Sequence, residues 1–276
     1  MDSSVQRLNL FRRQATGVSR PGPTWVRYYF DLLCHLIWRD FSLRYKQSVL
    51  GILWSLLVPL AQLLVLVFLF QSVVPLNIEA YPAFVFSALL PWGWFSSSLS
   101  SACGLFLSNR DLVRHPNFAP AQLLIVNTLS NLLTYLVALP VLMVVLLAYG
   151  RTLTSAVVAL PVLMLVQGVL TIGLSLIVAT LNVFYRDIQH LVIVALMLLF
   201  YLTPVFYRPQ AIAAQYQVLY QINPIAVLIQ GYRSLFFYGV LPAWDSVLFA
   251  AAVSFALYAL GIFVYRCYEH DIIDAL

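Results

Sequence analysis

From Gln47 onward, apolar positions in this chain run in long blocks broken only by brief polar interruptions. Seven stretches of 20 or more residues carry no Asp, Glu, Lys or Arg: Gln47–Ile78, Ala80–Asn109, His115–Gly150, Thr152–Tyr185, Ile188–Tyr207, Pro209–Tyr232 and Ser246–Tyr265. A helix that crosses hydrocarbon needs about 20 mostly apolar residues. Six of the stretches read as full spans, at about 50–73, 84–107, 121–148, 154–182, 189–207 and 246–265. The remaining stretch is split by Asn223-Pro224 and bracketed by Pro209 and Gly239. Each half is too short to cross, and proline interrupts a helix by removing a donor and restricting the residue before it. Residues 209–240 therefore read as a re-entrant pair of half-helices on the outer face, tolerated where protein or a water-filled cavity covers the backbone. The alternative, a seventh kinked span, would put the two termini on opposite sides.

Ahead of the first span the pattern changes. Val26, Tyr29, Phe30, Leu33, Leu36, Ile37 and Phe41 recur at helical spacing, with Arg27, Asp31, His35 and Ser42 on another face. Residues 25–46 are expected to form an amphipathic helix lying flat at the membrane interface. Residues 1–24 form a polar tail, with a Gly- and Pro-containing linker at Gly17–Pro23. Everything from 47 to 276 reads as one transmembrane domain, so the expected fold class is an all-α integral membrane protein.

Composition supports this and narrows it. The chain is 62% hydrophobic and 9% charged, and its mean hydropathy is +0.91. A soluble domain carries about 25% charged residues. The net charge of +5 does not point to nucleic acid, because eight of the fifteen Lys/Arg precede the first apolar block. With six spans, twelve of the fifteen lie on the side of the N-terminus; only Arg151, Arg208 and Arg233 lie opposite. The positive-inside rule then places both termini in the cytoplasm. No cleavable signal peptide is expected, since the first apolar run starts near Val49. Cys34, Cys103 and Cys267 have no metal or disulfide spacing and read as packing residues.

Trp38–Leu60 reads WRDFSLRYKQSVLGILWSLLVPL. Its Arg39-Asp40, Arg44-Tyr45-Lys46, Ser48, Leu50-Gly51, Leu53-Trp54 and Pro59 resemble the opening of type-2 ATP-binding-cassette permeases that export polysaccharides such as O antigen, capsule and teichoic acid. In order downstream, Leu90-Pro91-Trp92 with Phe95 and a serine run, Phe184–Ile188, Thr203–Tyr207, Asn223-Pro224 and Gly231–Arg233 are similar to later motifs of the same family. The likeness covers nearly the whole chain from Trp25. The tail Arg266–Leu276 is less basic than the resemblance would lead one to expect.

The resemblance implies a homodimer with a channel between its copies, a separate cytoplasmic ATPase, and a lipid-linked polysaccharide as substrate in a bacterial inner membrane. The chain has no Gly-x-x-x-x-Gly-Lys-Ser/Thr loop, so no cofactor is expected on it, and ATP and magnesium belong to the partner. Charged loops with short helical potential, Arg110, Asp111, Arg114 and His115 before Pro116, and Arg186 with Asp187, are expected to press on that ATPase; solvated loops obeying the positive-inside rule are the alternative. Aromatic rings stack on sugar faces without holding a polymer fast. Phe200, Tyr201, Phe206, Tyr207 and Trp92 are the candidate channel aromatics, with an interfacial belt as the alternative, especially for Trp92 and Trp94. Arg208 and Arg233 are expected outside or at the outer edge as anchors, with contact to phosphate as the alternative. Arg39, Arg44 and Lys46 are candidates for a lipid-phosphate group, which an arginine fork fits.

Other classes fit less well. A related permease for a drug or lipid would not need a wide aromatic channel. An intramembrane enzyme should gather a nucleophile, base or metal ligands in its spans; His35, His115, His190 and His270 all fall outside the spans or at their edges. Neither catalytic residues nor a metal site are expected. A proton-driven carrier would place acids or lysine at mid-membrane, against the charge-free stretches.

Overall fold

The structure, a computed structural model, describes residues 53–115, 118–211 and 213–275, together with His35 and Ile37. The expected interface helix, with Arg39, Arg44 and Lys46, and Pro116 of the charged loop thus lie outside the described residues, except that His35 and Ile37 are helical. No strand occurs among the described residues. Helix α1 is Leu53–Val67 and continues as a π-helical turn, Phe68–Val73. Helix α2, Tyr81–Cys103, is extended by the short α3, Leu105–Ser108, and followed by α4, Arg110–Val113. Helices α5, Ala121–Ala148, and α6, Leu160–Phe184, are joined through a 3₁₀ turn at Ser155–Ala159. Then come α7, Ile188–Leu202, α8, Gln217–Ile222, α9, Pro224–Arg233, and α10, Trp244–Ala275.

Contacts at the helix ends fix the directions. The end of α1 meets the segment after α7 (Phe70–Phe206, 5.2 Å between ring centres), and the start of α2 meets the turn after α9 (Phe84–Phe237, 5.5 Å). At the opposite end, Asn182 of α6 donates to Cys103 O of α2 (2.8 Å), and Phe184 packs on Tyr268 of α10 (5.5 Å). Six helices, α1, α2, α5, α6, α7 and α10, therefore run alternately between two ends. One end carries Arg110, Arg114, Arg186 and the C-terminal part of α10, and is called the charged end below. The other carries α8 and α9. Helix α1 begins, and α10 finishes, at the charged end.

Among the described residues, four segments are long and apolar enough to cross a membrane: Leu56–Val73, Ala121–Ala148, Ser155–Phe184 and Trp244–Ala275. Helix α2 has 23 residues, roughly 35 Å at 1.5 Å per residue, but its serines lower its hydropathy. It sits at the centre of the bundle, with every residue from Tyr81 to Trp92 buried, so it has little need of a lipid-facing surface. Helix α7 stops at Leu202, about 22 Å from its start, rather than reaching 207 as the sequence pattern implies. Thr203 is extended and Pro204 cannot continue the ladder. In contrast, α10 runs ten residues past the expected span end at Tyr265. Ile272 on that extension is fully buried, in a second apolar cluster with Phe106, Val113, Leu123 and Tyr265.

Local chemistry sets the boundaries. The side chain of Asn223 accepts from Ile225 N (3.2 Å) and Ala226 N (3.4 Å), and Pro224 occupies the first turn of α9. That is how a helix N-terminus satisfies its free donors. Helix α9 ends in a π turn closed by Gly239 at φ +67°, a left-handed conformation favoured by glycine. Thr154 Oγ1 donates to Gly239 O (2.7 Å), tying the α5–α6 connection to this turn.

Candidate functional site

A cleft of about 670 Å³ opens among α1, α2, α5 and α7. Hydroxyls and amides come from Gln62, Ser97, Ser100, Ser101, Asn131 and Thr134, and rings from Trp54, Trp92 and Trp94. Among the described residues, no charged side chain lines it. Ser97 and Ser101 are exposed on an otherwise buried helix; Ser101 Oγ donates to Ser97 O (2.7 Å) and pairs with Asn127 Oδ1 (2.8 Å). Such a wall offers neutral hydrogen bonds without fixing an ion.

The aromatic candidates come together beside this cleft. Trp92 packs on Phe200 at 5.6 Å and on Phe95 at 5.8 Å. Phe200 meets Tyr201 (5.5 Å) and Phe206 (5.7 Å), and Phe206 meets Tyr207 (5.1 Å). Phe70 of α1, absent from the sequence-based candidates, stacks on Phe206 with 13° between planes. Tyr201 is exposed; Phe200, Phe206 and Tyr207 are half-buried. Trp92 and Trp94 are both buried, and Trp94 Nε1 donates to Thr128 O (3.0 Å). They stand inside the bundle; Trp54 and Trp244 are the exposed tryptophans among the described residues.

Arg233 departs most from expectation. It is not an anchor at the outer edge but fully buried. Its Nη2 donates to Pro204 O (2.8 Å) and Val205 O (2.7 Å), its Nη1 to Gln230 Oε1 (3.4 Å), and its Cζ lies 3.8 Å from the centre of the Phe84 ring. A buried guanidinium is tolerated only when paired this closely. The signal in the sequence was a single arginine closing a charge-free stretch, Pro209–Tyr232. Arg208 is exposed, as expected of an anchor.

At the charged end, Arg110, Asp111, Arg114 and His115 are all exposed on and after α4, while Val113 plugs the same helix into the second apolar cluster. Arg186 and Asp187 are exposed in the turn between α6 and α7. Asn182 anchors this turn, accepting from Gln189 N (3.1 Å) and donating to Cys103 O. Both charged protrusions therefore stand at one end on rigid supports. No group of three or more His, Cys, Asp or Glu that could hold a metal occurs among the described residues.

Among the described residues, an all-helical bundle with four segments long and apolar enough to cross a membrane defines a polytopic membrane protein. Its family follows from comparison: the ABC-2 type transporter family matches residues 31–237, three quarters of the chain, and the protein belongs to it. Relatives include an O-antigen export system permease protein of Myxococcus xanthus, 38% identical over 232 residues, covering 83% of this chain and 89% of the relative. A protein of the same description from Klebsiella pneumoniae is 34% identical over 238 residues, covering 86% and 92%. The polysialic acid transport protein of Escherichia coli is more distant, 22% identical over 244 residues, covering 87% and 94%.

Proposed function

We propose that this chain is the membrane-spanning subunit of an exporter that moves a lipid-linked polysaccharide across a bacterial inner membrane, driven by a separate ATPase that binds ATP and magnesium. The observation that carries the reading is the line of rings Trp92, Phe200, Phe206 and Tyr207 running from the hydroxyl-lined cleft to the end that holds α8 and α9. Sugars present apolar C–H faces and many neutral hydroxyls. Rings and uncharged hydrogen-bonding groups hold them weakly at many positions, so a polymer can slide. Relatives described as O-antigen export permeases point to the same cargo class.

In this reading six helices cross the membrane, α2 and α7 included, and α8–α9 form a re-entrant pair on the outer face. The charged end faces the cytoplasm, as the positive-inside rule requires, so both termini lie there. Helix α1 has one buried side chain among its described residues, Leu63, while Leu64, Val65 and Phe68 are more than 60% exposed. A second copy of the chain covers this face and the exposed side of α7, closing the cleft into a channel. Arg110, Asp111, Arg114 and His115, with Arg186 and Asp187, dock on the ATPase; α4 transmits a rigid push because Val113 roots it in the bundle. Arg39, Arg44 and Lys46 meet the lipid phosphate on the cytoplasmic side. The chain itself performs no catalysis.

The test is purification of the tagged chain from its native membranes in mild detergent, with mass identification of what accompanies it. A stoichiometric ATPase is expected. The double variant Arg110→Ala, Arg114→Ala is expected to insert normally yet lose export. Recovery of the chain alone, in native-like lipid and repeatedly, contradicts the exporter reading; normal export by the double variant removes the coupling role of α4.

A further inference from the structure

Helix α7 ends at Leu202, and the chain then turns inward, so that Thr203, Pro204 and Val205 are buried. Its last carbonyls and those of the extended segment behind it need donors from elsewhere. Side chains supply them. Tyr207 Oη donates to Tyr201 O (3.1 Å) and Leu202 O (3.2 Å), Tyr81 Oη to Phe206 O (3.0 Å), and Arg233 to the carbonyls of both Pro204 and Val205. Asn223, the cap of α9, adds a bond from Nδ2 to Thr203 Oγ1 (3.4 Å). Both ends of α9 are thus fastened to residues 203–205, and the fastening at its C-terminal end is a charged group placed where the negative pole of α7 lies.

Arg233 is the one charged side chain fully buried among the described residues. It joins three elements: α9 from which it projects, the segment after α7 whose carbonyls it bridges, and α2 through the ring of Phe84. Its Nε has no hydrogen-bond partner among the described residues. A leucine or methionine would fill the same space without that unmet donor and without desolvating a charge, so packing alone does not account for an arginine here. We propose that Arg233 is a positioning residue for export: it sets where Phe206 and Tyr207 stand and makes α9 and residues 203–207 move as one body while polymer passes. Lysine cannot replace it fully, because one ammonium does not offer the planar fork that bridges two carbonyls while lying on a ring. The inference rests on the export reading proposed above.

The experiment uses the whole chain with its ATPase. Cys34, Cys103 and Cys267 are replaced by alanine, and a nitroxide is attached at Arg208→Cys, an exposed position beside Tyr207. Label mobility, ATP hydrolysis and surface polysaccharide are then measured with Arg233 intact, as Arg233→Lys and as Arg233→Gln. Both variants are expected to retain ATP hydrolysis within about twofold. The label becomes more mobile, and export falls by about tenfold with glutamine and by less with lysine. A loss of mere bulk packing would not separate hydrolysis from export in this way. If glutamine prevents insertion, the lysine variant decides alone. An unchanged label spectrum, or undiminished export despite a looser label, overturns the positioning role. Failure of the labelled parent to place any polysaccharide at the surface counts against the export reading instead, and the label spectrum still judges whether Arg233 orders residues 203–207.

Discussion

Single polar side chains hold this bundle together at depths where apolar packing alone sets no register. Gln167 of α6 donates to Pro91 O of α2 (2.8 Å), the carbonyl of the proline inside that helix. Trp94 reaches Thr128 O of α5, and Asn127 Nδ2 donates back to Ser98 O of α2 (2.9 Å). Asn182 joins α6 to the last turn of α2 and to the first turn of α7. Asn182→Ala is expected to destabilise the protein by about 1–3 kcal/mol, since the buried Cys103 carbonyl loses its side-chain donor. In detergent this should lower the melting temperature by several degrees, measured by thermal unfolding of the purified protein; no change would show that the bond is replaceable. None of these bonds was legible in the sequence. Uncharged polar residues inside apolar blocks look alike until helix rotation is known. Buried Arg233 was misjudged for a related reason: positive-inside counting treats every arginine as facing water, and only the carbonyls exposed by the break at Thr203-Pro204 show why this one does not.

Among elements, the closest approach is between α6 and α10. A Cβ on Gly261 would collide with the Gly173 carbonyl oxygen, and one on Gly173 would meet the Tyr258 backbone at 2.6 Å. These are collisions with main chain, which cannot swing aside. Small residues permit such backbone contact between membrane helices, where dispersion replaces the hydrophobic effect as the driving force. Gly261→Ala is therefore expected to push the helices apart and to reduce the yield of folded protein severalfold in fluorescence-detected size exclusion. Gly104→Ala, where a Cβ meets nothing within 4 Å and φ is −87°, should leave the yield unchanged. Equal yields from the two would contradict the packing account. The elements themselves were largely legible: charge-free blocks gave α5, α6 and α10, and Asn223-Pro224 marked the start of α9. Hydropathy reports lipid exposure more than crossing, so α2, enclosed by its neighbours and rich in serine, is less conspicuous by that measure than by its length. The continuation of α10 to Ala275 was hidden because Glu269, Asp271 and Asp274 look like a solvated tail, although Ile272 between them is buried.

For the whole molecule, the alternating helices bring the chain's first described helix and its last residues to one end, together with every charged loop assigned to coupling. The opposite end holds α8, α9 and the break after α7, and the cleft lies between. In the proposed reading, the exposed charges at one end serve the ATPase and the neutral rings and hydroxyls beside the cleft serve the cargo, a division that suits an exporter without its own ATPase motif. The aromatic cluster was legible in the sequence as separate short motifs. That Trp92 and Phe70 join it depends on packing between α1, α2 and α7, which no linear spacing encodes.

The central claim is tested most directly by locating the polysaccharide in cells of the source bacterium from which this chain has been deleted. The account predicts that lipid-linked polymer disappears from the surface and accumulates on the cytoplasmic side of the inner membrane, and that the wild-type chain restores export. Unaltered surface polysaccharide, with no polymer accumulating inside, would contradict it.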